Sequence, residues 1–125
     1  MRTFPLGRPD PCAHREVLAH FDANRAAVGH FNFSELSVCK AVADAASKLR
    51  LPVVLLASES EREFLDTRQA AAIVQSLRQE RALEIFRNTD HTHSLEKAEA
   101  AARAGSDMIL FDASEKPHPP FASLN

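Results

Sequence analysis

Hydrophobic positions recur along this chain at two alternating periods. Val17, Leu18 and Phe21 fall at helical spacing, and Asp10-Pro11 ahead of them suits an N-cap followed by a first-turn proline. The spacing predicts a helix over about 11–22, ended by Asp22-Ala23-Asn24. Residues 25–33 are short, apolar and β-leaning, which predicts a strand. Leu36, Cys39, Val42, Ala46 and Leu49 then line one face of a helix over 35–49, with Ser34 as its expected cap and Pro52 blocking its continuation. The run from Val53 to Ala57 is continuous and apolar, as in a parallel strand covered on both faces. Residues 58–66 are polar and charged and read as a loop or a short helical turn. Asp66 or Thr67 can cap a helix carrying Ala70, Ile73, Val74 and Leu77. A third strand is expected at 83–86. After it, the stretch Thr92-His93-Ser94 supplies the next N-cap, Leu95, Ala98 and Ala102 the buried stripe, and Gly105 the C′ position. Met108-Ile109-Leu110-Phe111 is the fourth strand.

The order is helix, then β-α-β-α-β-α-β, an α/β pattern of parallel strands joined by right-handed crossovers. Two architectures fit it, an open doubly wound sheet and part of a (β/α)8 barrel, and periodicity does not separate them. Residues 1–10, with Pro5, Pro9 and Gly7, read as an irregular start. From Pro117 the pattern stops, and residues 118–125 carry neither helical nor strand spacing. We read residues 1–125 as a single domain.

Composition narrows the class. Fifteen Lys and Arg against seventeen Asp and Glu give a net charge of -2, without the basic excess of a nucleic-acid protein. Hydrophobic residues are 45% and charged residues 26%, which are globular proportions. The longest apolar run has strand length and falls far short of a membrane span. Cys12 and Cys39 form no CxxC pair, and the start lacks a signal-peptide pattern, so a reduced, cytoplasmic protein is expected.

In parallel α/β folds the chemistry gathers at the carboxyl ends of the strands. Four such ends are readable: Asn32, then Ser58-Glu59, then Asp90-His91-Thr92-His93, then Asp112-Ala113-Ser114-Glu115. Asp90-His91 is the most informative, because a neutral imidazole is a zinc ligand and a neighbouring carboxylate can act as acid or base. Helix entry is the simpler explanation of the same residue types there, and a solvated turn that of Ser58-Glu59. His14, His20 and His30 read as structural or solvated, and the 61–63 and 78–81 charge runs as solvated faces. The three glycines are isolated, so no glycine-rich phosphate loop is present.

Taken in order, Ala27-Val28-Gly29-His30-Phe31-Asn32, Pro52-Val53-Val54-Leu55-Leu56-Ala57-Ser58-Glu59, Asp90-His91-Thr92-His93-Ser94 and Ala104-Gly105-Ser106-Asp107-Met108-Ile109-Leu110-Phe111-Asp112-Ala113-Ser114 resemble the N-terminal half of class II, metal-dependent fructose- or tagatose-bisphosphate aldolases. The resemblance runs over about residues 12–117. It implies a TIM-barrel family fold of which this chain holds the first four β/α units, a half-barrel. It implies reversible aldol cleavage of fructose 1,6-bisphosphate or tagatose 1,6-bisphosphate to dihydroxyacetone phosphate and glyceraldehyde 3-phosphate, with Zn2+ as cofactor, a step of carbohydrate metabolism such as glycolysis. The matching positions make Asp90 the catalytic acid/base, His91 a zinc ligand, Asn32 and Ser58 holders of the dihydroxyacetone-phosphate portion, and Asp112 an acidic group near the metal.

The family's other zinc-binding histidines, its glycine-rich phosphate segment and a catalytic glutamate belong to later strands. We therefore expect a truncation or frameshift near residue 118, little activity of the chain alone, and self-association through open sheet edges. Two other readings are a non-catalytic half-domain that binds a protein partner by those edges, and an unrelated flavodoxin-like domain, which would need a fifth strand.

Overall fold

A computed structural model describes residues 13–116. The expected N-cap at Asp10-Pro11, Cys12, the irregular start and the segment 118–125 lie outside the described residues. The elements are α1 (Ala13–Ala23), β1 (Gly29–Asn32), α2 (Leu36–Leu49), β2 (Val53–Ala57), α3 (Glu59–Phe64), α4 (Thr67–Arg81), β3 (Ile85–Thr92), α5 (Leu95–Arg103) and β4 (Met108–Phe111).

The four strands form one sheet in the order β1-β2-β3-β4, and every pairing is parallel. Sequential order separates the two architectures left open by the sequence. A doubly wound sheet reverses its strand order at a switch point, whereas barrel winding adds each strand beside the last. The chain is thus four successive β/α units of barrel type, a half-barrel.

Alternation along the strands divides the core in two. Val53, Leu55, Ala57 and Ile85 pack with Cys39, Ala43 and Ala46 of α2 and Ala70, Val74 and Leu77 of α4. Val54 and Phe86 face the other way and pack with Val17 of α1, with Phe21, Val28 and Met108 partly buried beside them. All five residues of β2 are buried, as its unbroken apolar run requires.

The helical seams sit one position away from the simplest periodic reading. In α2, Ala43 is buried while Leu36 and Leu49 are exposed, because the helix ends overhang the sheet and the small Ala43 sits where α2 approaches α4. In α5 only Ala101 is buried, and Leu95 is 67% exposed. Glu35, rather than Ser34, occupies the N-cap of α2 and makes no side-chain capping bond. Ser94 caps α5 as expected, accepting from the Lys97 N–H. Gly105 closes α5 at φ 83, with its N–H on the Ala102 carbonyl and the Ser106 N–H on the Ala101 carbonyl, a Schellman motif.

Candidate active site at the strand ends

The third strand is longer than its apolar core. It runs through Arg87-Asn88-Thr89-Asp90-His91 to Thr92, so Asp90-His91 belongs to the strand and not to a loop before α5. The polar residues stay in register because their side chains are served: Thr89 shares a hydrogen bond with Ser106, and Arg87 reaches carbonyls of two helices. Near the end the register breaks. Thr89 pairs Ile109 and Thr92 pairs Phe111, so β3 carries one extra residue there, a β-bulge at Asp90 and His91. His91 sits at φ 35, a conformation L-residues rarely adopt. Bulges of this kind re-aim side chains and collect beside active sites.

The bulge brings three of the sequence-derived candidates together. His91 Nδ1 lies 2.9 Å from Asp112 Oδ2, just past the end of β4. Its Nε2 lies 3.8 Å from Asp90 Oδ2. The hydrogen bond to Asp112, then the charge of Asp90, raises the His91 pKa above the ordinary imidazole value. Asp112 is held well below the usual carboxylate range by the Ser114 hydroxyl and N–H, the latter at 2.9 Å, and then by His91.

Asn32 and Ser58 are connected to this group through α3. Ser58 is its N-cap, with a complete capping box: the Ser58 hydroxyl accepts from the Glu61 N–H at 3.3 Å, and a Glu61 carboxylate oxygen accepts from the Ser58 N–H at 2.6 Å. The same carboxylate oxygen is 3.5 Å from Asn32 Nδ2. Arg62, one residue on, turns back under the strand ends. Its guanidinium donates to the Ala57 carbonyl, to the Asp90 carbonyl at 2.9 Å and to Thr92 Oγ1 at 3.0 Å. Glu59 accepts from the His93 N–H at 3.1 Å and pairs with Lys97, and Lys97 first among its neighbours lowers its pKa.

The sequence reading treated the 61–63 run as a solvated face, and Arg62 corrects it: desolvation lowers the pKa of this half-buried guanidinium, and it holds β2 and β3 at their ends. The signal was present in Ser58-x-x-Glu61 directly after an apolar strand, a capping-box spacing that announces a helix. Asn88 was also missed. It is buried with its amide 3.4 Å from His30 Nε2, which gives His30 a partner that β1 and β3 do not reveal until the sheet is assembled.

For a metal, the described residues offer one well-prepared imidazole. With Nδ1–H donated to Asp112, the His91 Nε2 keeps its lone pair, the carboxylate–histidine arrangement common around bound metals. Yet no group of three His, Cys, Asp or Glu converges on one point among the described residues. A catalytic zinc ordinarily takes three protein ligands, and the described residues do not bring three together.

The family model described as fructose-bisphosphate aldolase class-II matches residues 13–120. A 6-phospho-5-dehydro-2-deoxy-D-gluconate aldolase of Bacillus velezensis is 31% identical over 106 residues, covering 82% of this chain and 37% of its own length. A fructose-bisphosphate aldolase of Thermus caldophilus is 29% identical over 101 residues, covering 81% of this chain and 33% of its own length. The chain therefore spans about a third of the length of these relatives. Among solved structures, the YdjI aldolase from Escherichia coli K12 superposes with a TM-score of 0.74 at 22% identity, over 81% of this chain and 39% of that one, a likeness of fold. A sequential parallel sheet, polar strand ends in the expected order and a family match over nearly the whole chain converge: the chain belongs to the class II fructose-bisphosphate aldolase family.

Proposed function

We propose that these four β/α units supply the acid/base half of a zinc-dependent aldolase site acting on a phosphorylated ketose, with fructose 1,6-bisphosphate and tagatose 1,6-bisphosphate as the candidate substrates. The observation that carries the proposal is the bulge at Asp90-His91, with His91 fixed by Asp112. Cleavage of the carbon–carbon bond requires the C4 hydroxyl to lose its proton, and Asp90 is the carboxylate offered for it. His91 would hold the metal through Nε2, and Asp112 would fix the ring proton on Nδ1 and keep Nε2 aimed. What zinc supplies when bound is stabilisation of negative charge developing on the ketone oxygen. Asn32 and Ser58 would orient the dihydroxyacetone-phosphate portion. The Ser58 hydroxyl accepts from the Glu61 N–H and shares a hydrogen bond of 3.2 Å with the Ser60 hydroxyl; with Ser60 donating, the Ser58 proton would be available to a substrate oxygen. Phosphorylated substrates and a buried free thiol at Cys39 both suit a cytoplasmic setting, and no helix among the described residues is long and apolar enough to cross a membrane.

The test is a chimaera in which residues 13–116 replace the matching segment of a full-length relative, assayed for ketose-bisphosphate cleavage with and without chelator. The expected result is chelator-sensitive turnover that falls by about 10²–10⁴-fold in Asp90→Asn. A folded, active chimaera indifferent to both Asp90→Asn and His91→Ala would overturn the assignment. The 125-residue chain alone is expected to show little or no turnover, since the described residues do not bring three metal ligands together.

A second reading concerns the sheet edges. β1 and β4 each pair on one side among the described residues, and they expose Phe31 at 47% and Leu110 and Phe111 at 43%. Unpaired apolar edges favour association, so the chain would pair with another copy of itself or with the rest of a barrel. Sedimentation of the purified chain over a range of concentrations checks this, and a concentration-independent monomer would refute it.

A further inference from the structure

On the outer side of the sheet, α4 and α5 leave a cleft of 290 Å3 between them. It stays open because the side chains at the crossing are small: Ala71 and Ala72 from α4, Ala104 and Gly105 from the end of α5. Nothing lies within 4 Å of where a Cβ on Gly105 would be. Two arginines line the same cleft, Arg78 from α4 and Arg87 from β3.

Their charges are unequally met. Arg78 pairs with Asp107 and also donates to the Ile85 carbonyl. The Asp107 carboxylate accepts from the Arg87 backbone N–H at 2.7 Å, but not from its guanidinium. The guanidinium of Arg87, a residue only 3% exposed, has neutral acceptors alone: Ser106 Oγ at 3.1 Å from Nε, the Thr67 carbonyl at 2.9 Å from Nη1 and the Ala101 carbonyl at 3.4 Å from Nη2. Burial pushes its pKa down to about 10, so it remains protonated at neutral pH. The Arg87 guanidinium makes no ion pair: the Asp107 charge acts on it only from beyond hydrogen-bond reach, and the Arg78 charge acts against it. A buried cation met this incompletely is unfavourable, and an anion entering the cleft would relieve it. Two guanidinium forks reaching from different elements suit tetrahedral oxygens better than a planar carboxylate, which one fork satisfies.

We propose that the α4–α5 cleft is a binding site for a small oxyanion of the phosphate class, held by Arg78 and Arg87. It faces the helical layer, whereas Asn32 and Asn88 alternate to the opposite face, so this site is separate from the strand-end group. The cleft has room for a phosphate with a short carbon chain but not for a nucleotide, since it lies at the lower limit of ordinary ligand pockets.

Titration of the full chain with inorganic phosphate at low ionic strength, followed by 1H–15N NMR, tests the site. The Nε–H signals of Arg78 and Arg87 and the Gly105 amide are expected to shift together and saturate. Ala72→Leu fills the cleft from an exposed helical position, keeps both arginines and replaces one strong helix former with another. It is expected to weaken binding by about tenfold or more. Shifts that fail to saturate, that chloride reproduces at equal ionic strength, or that survive Ala72→Leu unchanged would overturn the proposal. Acetate binding as tightly as phosphate would overturn the choice of anion class.

Discussion

His91 and Asp112 meet across the ends of two neighbouring strands, Nδ1 to Oδ2 at 2.9 Å. The contact exists because the extra residue in β3 turns His91 towards the residue that follows β4. It carries a pH signature. His91 is raised, so its contribution to stability is complete below the ordinary imidazole pKa of about 6.5 and fades as pH climbs through the raised value. Asp112 is lowered, so its contribution is present above the ordinary aspartate pKa of about 3.9 and is lost as pH falls through the lowered value. The pair is strongest between those two ordinary values. Asp112→Asn should bring the His91 pKa down towards the ordinary value, read by NMR titration of the imidazole. The stability gap between wild type and variant should narrow above the raised pKa.

Arg62 holds the bulge from below through the Ala57 and Asp90 carbonyls and Thr92 Oγ1. Arg62→Ala leaves those acceptors without a partner, and the expected loss is about 1–3 kcal/mol in urea denaturation. Amide exchange at Asp90 to Thr92 should accelerate more than in α2. Arg62→Lys, with one ammonium in place of a fork, should recover only part of the loss.

Ser58 has a structural role that can be separated from any contact with substrate. Ser58→Ala should destabilise the chain by about 1 kcal/mol through loss of the cap. Ser58→Asp keeps a capping acceptor and should stay close to wild-type stability, measured by thermal unfolding. In the chimaera it should nonetheless impair turnover, because it places a negative charge where a phosphorylated substrate would approach.

Ala82 ends α4 at φ 48, in the left-handed region. Relief of that strain exceeds the extra chain entropy of glycine, so Ala82→Gly should stabilise the protein by about 0.5–1 kcal/mol. His91 at φ 35 obeys the same steric rule, so His91→Gly should prove more stable than His91→Ala. Both orderings are checked by chemical denaturation, and the reverse ordering at Ala82 would show that its backbone is unstrained.

Much of the fold is legible in local pattern. The unbroken run Val53 to Ala57 suits a strand covered on both faces, which it forms, and Gly105 marked the end of α5 because its φ suits glycine. The candidate residues were legible because each polar end follows an apolar strand. Arg62, Asn88 and Arg87 were hidden for one reason. Their partners lie 28, 58 and 20 residues away, and a charged or amide side chain reads as solvated until those partners are in place.

By itself the sequence determined the α/β alternation, the family and the line of polar strand ends, all of which depend on neighbouring residues and periodicity. Only the tertiary structure decided between an open sheet and barrel winding, since strand order is a relation between segments and leaves no trace within any one of them. It alone decided that Asp90 and His91 stand on a bulge. A register shift is defined by the partner strand, and β4 comes sixteen residues after Thr92.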